Sequence, residues 1–173
     1  RRQRQMCIRD RSPFSVRSRM IEMENVPFMA EKKRDKIDYM WRDVQRRANF
    51  YGFDAKVPAP YPLKEFDLAN KVAILGKDQG WIKEYTILTY KKWFLDHLEP
   101  GSEPNLSSTL KEIGLDSDSL IKQAQTDEIE QKYLKNTEMA KNKGIFGSPT
   151  FIVENEVFWG DDRCEDAIKW LSK

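Results

Sequence analysis

Two places in the sequence combine residue types that could hold a ligand. In Gly144-Ile145-Phe146-Gly147-Ser148-Pro149, glycines bracket a Ser-Pro step, and the apolar run Thr150-Phe151-Ile152-Val153 follows. A cis bond at Ser148-Pro149 would turn the backbone sharply and leave the amide and carbonyl of Ser148 free to pair with an extended ligand. A trans proline heading a strand is the other reading, because proline cannot donate to a sheet ladder and belongs at an edge or a strand start. The second place is Gly160-Asp161-Asp162-Arg163, where two carboxylates precede an apolar-periodic stretch. Negative charge there complements the unpaired amides of a helix start, so a capping role competes with a binding one.

Other chemistries lack their residues. Metal centres need clustered His, Cys or carboxylates, and His97 is the single histidine. One histidine and no nucleophile elbow leave Ser-His-Asp catalysis unsupported. Gly-Ile-Phe-Gly is too short for a phosphate cradle and has no lysine. Cys7 and Cys164 form no Cys-x-x-Cys pair, which argues against dithiol redox chemistry and for a reducing, cytoplasmic setting. Thirty Lys and Arg against 28 Asp and Glu give a net charge of +2, so no bulk charge points to nucleic acid or an anionic membrane. No apolar run approaches the 18 or so residues needed to cross a bilayer.

The elements that must position these residues follow from periodicity. At 173 residues the chain suits one domain, or one core with a large insertion. Residues 1–12 are basic, have no sustained period, and are expected to be a disordered or non-native tail. Pro13 to Met20 alternates as a half-buried strand would. From Lys33 to Phe53, Ile37, Met40, Trp41, Val44, Ala48 and Phe50 or Tyr51 recur at three and four, predicting an amphipathic helix whose stripe belongs to the core. Pro58-Ala59-Pro60-Tyr61-Pro62 reads as a stiff extended connector and a boundary. Helices are expected over 66–79 and 81–98, shorter ones over 107–113 and 117–125, and another through Lys143, capped by Asp127 and stopped by Gly144. Glu154-Asn155 then separates two apolar runs as the turn of a β-hairpin, and a helix over 162–171 closes the chain.

The stretch Gly-Ile-Phe-Gly-Ser-Pro-Thr-Phe-Ile-Val, a short turn, and Val-Phe-Trp-Gly-Asp-Asp-Arg before a closing helix resembles the C-terminal half of DsbA-like thioredoxin-fold proteins. Within that group it is most similar to the 2-hydroxychromene-2-carboxylate isomerases and kappa-class glutathione transferases, and the resemblance reaches back to about Pro13. It implies an α/β fold: an incomplete thioredoxin-like sheet from 13–32 and 144–173, interrupted by a helical insertion over 33–143. It also implies the cis form at Ser148-Pro149.

By the same resemblance, glutathione is the expected cofactor. It would pair as a short strand with the backbone of Ser148 beside Pro149, and Asp161 or Asp162 would receive its γ-glutamyl ammonium. Asn25, and Lys36 in Lys-x-x-Tyr ending at Tyr39, align with residues that face glutathione. Cys164 stands where the family has an apolar residue and reads as core filler. The substrate would be a small aromatic electrophile or hydroxychromene-type acid, and a homodimer is a compatible assembly. The family activates the thiol with a serine in a Ser-Pro-aromatic triplet at the end of its first strand. Ser12-Pro13-Phe14 has that form, but a helix and a strand should separate the triplet from the Asn-x-Pro segment, and only a dozen residues lie between Ser12 and Asn25. Pro13 to Arg19 is therefore assigned to the second strand, which leaves no catalytic residue and an inactive chain. A DsbA-type oxidoreductase with its Cys-x-x-Cys upstream, or a non-enzymatic thioredoxin-like interaction domain, are the alternatives.

Overall fold

Local signals divide the middle of the chain into five packed helices. The computed structural model describes residues 10–25 and 33–172. Helix α1 is Val16–Glu22 and α2 is Arg34–Phe50. The central block is α3 (Leu68–Gln79), α4 (Ile82–Asp96), α5 (Asn105–Glu112), α6 (Ser117–Ala124) and α7 (Asp127–Asn142). Gly80, at φ 89°, ends α3 in the left-handed conformation that glycine adopts without a Cβ penalty. Asp116 starts α6 by accepting the amide of Ser119 at 3.2 Å. Thr126, not Asp127, holds the cap position of α7, and Asp127, Glu128 and Glu130 supply negative charge to its first turn.

The core is built on α3, which touches α4, α6 and α7. Val72, Leu75, Tyr85, Leu106, Leu110, Ala124, Ile129 and Tyr133 are buried together there. Each large apolar side chain so buried stabilises the fold by about 1.5 to 3 kcal/mol. Asn105 and Thr109 join in a buried chain: Asn105 Nδ2 donates to the carbonyls of Leu98 at 2.7 Å and Thr89 at 3.2 Å, and Thr109 Oγ1 donates to Asn105 Oδ1 at 3.1 Å. Tyr133 Oη donates to Asp67 Oδ1 at 2.8 Å and accepts from Asn70 Nδ2 at 3.2 Å, which ties α7 to the start of α3.

The hairpin has its turn at Glu154-Asn155, as expected. Strand β1 (Thr150–Val153) pairs antiparallel with β2 (Glu156–Trp159). A tight 3-10 turn over Asp161–Arg163 leads into α8 (Cys164–Trp170), which packs on both strands. Among the described residues the sheet has these two strands alone. A helical middle followed by a hairpin and closing helix is the α/β arrangement read from the sequence.

Two expectations are corrected. The alternating stretch Pro13 to Met20 is not a strand: Ser15, itself buried, caps α1 by accepting the amide of Ser18 at 3.2 Å, and this local bond outweighs the period-2 pattern. Arg17 lies over the Phe66 ring at 4.7 Å, so a polar-track residue of the supposed strand is a helix-face contact. The stripe of α2 is not core: no residue of α2 is buried, and Phe50 is 75% exposed. The proline-rich connector is docked on α4: Trp93 Nε1 donates to the Pro60 carbonyl at 2.9 Å, the Lys56 amide donates to the Phe94 carbonyl at 2.8 Å, and Ala55 and Ala59 are buried. Residues 1–9 of the expected tail lie outside the described residues. Asp10 to Ser12 are exposed, with Asp10 paired to Lys77 at 2.9 Å.

Candidate functional site

Strand register brings the two candidate stretches to one end of the hairpin. Thr150 lies opposite Trp159, and one step further the Gly160 amide donates to the Pro149 carbonyl at 3.0 Å. Ser148 precedes and Asp161 follows this bonded pair, so each is the next residue beyond it on its own segment. The Ser148-Pro149 bond is cis, as the resemblance implied, and both residues are exposed. The amide and carbonyl of Ser148 make no hydrogen bond among the described residues.

Neighbouring contacts fix this loop without using Ser148. Thr150 Oγ1 donates to the Gly147 carbonyl at 2.7 Å. Gly147 is buried under the indole of Trp159, and a side chain on Gly147 would collide with that ring. Phe146 tilts against the same indole with centroids 4.9 Å apart. On the other side of the loop, Arg19 Nε donates to the Ile145 carbonyl at 3.2 Å, joining α1 to the segment that leads into Ser148.

The two carboxylates are paired rather than open. Arg47, from α2, donates to Asp161 Oδ2 through Nε at 2.8 Å and brings a terminal nitrogen within 2.6 Å of the same oxygen. That bond holds the Arg47 guanidinium charged more firmly than usual. Asp161 Oδ1 accepts no hydrogen bond among the described residues. Asp162 Oδ2 accepts from Arg163 at 2.9 Å, and this bond holds the Asp162 carboxyl below its ordinary range. Arg163 is raised in turn by Asp162 and also donates to Asp166 at 2.9 Å.

Asn25 and Lys36 make no contact with this cluster among the described residues. Asn25 is exposed, and its amide donates to the Met20 carbonyl at 2.9 Å to finish α1. Residues 26–32 beyond it lie outside the description. Lys36 is exposed in the first turn of α2, roughly 16 Å along the axis from Arg47 at 1.5 Å per residue. Cys164 is half-buried as a free thiol at the first residue of α8. A shallow concavity lined by Asn142, Lys143, Ile152, Glu154, Asn155 and Val157 lies at the turn end of the hairpin, away from Ser148 and Asp161.

The sequence reading misses Arg47 and sets Ser12 aside. Arg47 lies on the 44-47-51 track of α2, inside the apolar stripe, and a charge on such a stripe was the available signal. Ser12 is set aside in the sequence because only a dozen residues separate it from Asn25, and the strand assignment of Pro13 to Arg19 follows from that. With α1 in that place, Ser12-Pro13-Phe14 stands directly before a helix, docked by Asn136 Nδ2 donating to the Pro13 carbonyl at 3.0 Å and the Ser15 amide donating to Thr137 Oγ1 at 3.0 Å. The Ser12-x-x-Ser15 spacing there offers hydroxyls and no thiol.

A family model described as the DSBA-like thioredoxin domain matches residues 4–169. Among curated relatives, a 2-hydroxychromene-2-carboxylate isomerase of Sphingobium xenophagum is 23% identical over 165 residues, 95% of this chain and 83% of that protein. A protein of the same name from a Pseudomonas strain is 24% identical over 157 residues, 87% of this chain and 73% of the relative. A solved structure of selenomethionine 2-hydroxychromene-2-carboxylate isomerase superposes with a TM-score of 0.77 at 22% identity, covering 92% of this chain and 78% of that one, a likeness of fold.

Proposed function

Because this chain belongs to the DSBA-like thioredoxin domain family, we propose that it is a glutathione-dependent isomerase or transferase acting on a small aromatic acid of the hydroxychromene type. The observation that carries this reading is the hairpin end, where the Gly160 amide pairs with the Pro149 carbonyl, flanked by the unpaired backbone of Ser148 on one segment and by Asp161, with Oδ1 unpartnered among the described residues, on the other. An extended peptide-like ligand needs one amide and one carbonyl to pair with, and Ser148 offers both. Its cationic end needs an acceptor, and Asp161 Oδ1 is one. These groups fit glutathione, which when bound supplies a thiol nucleophile. Lys36 and Asn25 are the further candidates to meet its charged ends.

Ser12 is the residue assigned to hold the thiol in its ionised form, since a hydroxyl donor stabilises a thiolate by hydrogen bonding. Dithiol exchange is disfavoured at this helix start, because the positions before α1 carry Ser12 and Ser15. One observation favours a second reading, a glutathione-binding domain without turnover. Only Met23 and Glu24 separate α1 from Asn25, where the resemblance calls for a strand.

The test is to follow the absorbance of 2-hydroxychromene-2-carboxylate with the protein, with and without glutathione. Conversion that requires glutathione and disappears in Ser12→Ala supports the enzyme. Undiminished conversion in Ser12→Ala removes Ser12 from the mechanism. Absence of conversion by a protein that still binds glutathione selects the binding-domain reading.

A further inference from the structure

Arg47 has no part in the reading above, yet its guanidinium is held by three kinds of contact. Two of its nitrogens meet Asp161 Oδ2, at 2.8 Å and 2.6 Å. A terminal nitrogen also donates to Tyr51 Oη at 3.0 Å. The rings of Phe50 and Tyr51 flank it, with centroids 5.4 Å and 5.2 Å from Cζ. Two large aromatics that are mostly exposed, and so contribute little to a core, are thereby spent on fixing one cation.

Such an arrangement is poorly explained by stability alone. Both partners are partly solvated, with 34% and 47% of their side chains exposed, and ion pairs of that kind stabilise a fold only slightly. The geometry is also incomplete in a specific way. An arginine fork facing a carboxylate commonly takes both oxygens. Here it takes Oδ2 twice and leaves Oδ1 without a partner among the described residues. Asp161 follows Gly160, whose amide donates to the Pro149 carbonyl, and the unpaired backbone of Ser148 directly precedes Pro149.

Building on the glutathione reading, we propose that Arg47 is a positioning residue: by holding Asp161 Oδ2 it fixes the carboxylate so that Oδ1 accepts the primary ammonium of a γ-glutamyl ligand. Arg47 sits on α2 and Asp161 follows β2, so recognition of that ammonium depends on α2 being docked. A lysine at position 47 keeps the charge but loses the planar fork that engages Asp161 and Tyr51 together.

The test is calorimetric titration of the full chain with glutathione and with N-acetylglutathione, which lacks the ammonium. Thermal unfolding checks that each variant is folded. The wild type should prefer glutathione by about tenfold, the value of one charge-assisted hydrogen bond. Arg47→Met should erase that preference while leaving N-acetylglutathione affinity unchanged, and Arg47→Lys should restore part of it. In an Asp161→Asn background, Arg47→Met should have no further effect on the preference. Equal weakening toward both ligands in Arg47→Met would reduce Arg47 to a packing contact and overturn the proposal, as would an unchanged preference. A wild type that binds both ligands alike would remove Asp161 from ammonium recognition while leaving glutathione binding intact. A wild type that binds neither would overturn the functional reading and this inference with it.

Discussion

The helical block and the hairpin end are held together by different forces. Of the buried apolar residues, all but Ala167 lie between Ala55 and Ile145. From Phe146 onward the large apolar residues Ile152, Val157, Trp159, Ile168, Trp170 and Leu171 remain substantially exposed. A two-stranded hairpin is marginal in water by itself. Here it depends on α8, on the Arg47–Asp161 pair and on the Trp159 cover over Gly147. The block that folds on its own contacts carries none of the hairpin-end groups, and the part that carries them has little core. This division follows from the chemistry: a ligand needs unpaired backbone and open carboxylate oxygen, and a core tolerates neither.

The largest expected effect tests that division on stability. Leu110 is fully buried and Ile152 is exposed. Leu110→Ala should cost about 2 to 5 kcal/mol in chemical denaturation, while Ile152→Ala should cost under about 1 kcal/mol. Equal costs would mean that the hairpin face is covered by something the described residues do not supply, and the comparison would break. A smaller effect is expected at the polar tie between α7 and α3. Tyr133→Phe removes the bonds to Asp67 and Asn70 and should lower stability by about 1 kcal/mol in the same measurement.

The helical block was legible because its signals are local. Gly80 and Gly144 stop helices through their own backbone freedom, and the core positions of α7, Ile129, Tyr133 and Ala140, repeat at helical spacing. The hairpin was legible for the same reason, from two apolar runs about a two-residue turn. Pro13 to Met20 misled because eight residues can satisfy an alternating pattern by chance, and the deciding bond, Ser15 to the Ser18 amide, competes with it over three residues. The stripe of α2 misled differently. Periodicity says which residues share a face, and it does not say whether anything covers that face. At the hairpin end, the expected hairpin accounts for the Gly160–Pro149 bond that joins the two stretches, whereas Arg47 reaches Asp161 across 114 positions of chain, a pairing that no local pattern encodes.

The smallest expected effect concerns acid. Arg163 lowers the folded-state value of Asp162 below that of an unfolded aspartate. The stability this contributes is fully present above the ordinary carboxylate range and is lost as pH falls through the lowered folded value. Thermal midpoints of wild type and Asp162→Asn should therefore converge as pH drops through that window, with the wild type higher above it. Because the pair is exposed, added salt should shrink the difference. A difference that persists in acid would assign Asp162 a role unrelated to its charge.

The central claim is that glutathione is recognised at the hairpin end and not by the helical block. Amide hydrogen exchange with and without glutathione reads both regions at once. The account predicts that the free protein exchanges faster over 146–164 than in α3 and α7, and that glutathione slows exchange at Ser148 and over 160–164 while leaving α3 to α6 unchanged. Unaltered exchange at Ser148 with saturating glutathione, or protection confined to α3 to α6, would contradict it.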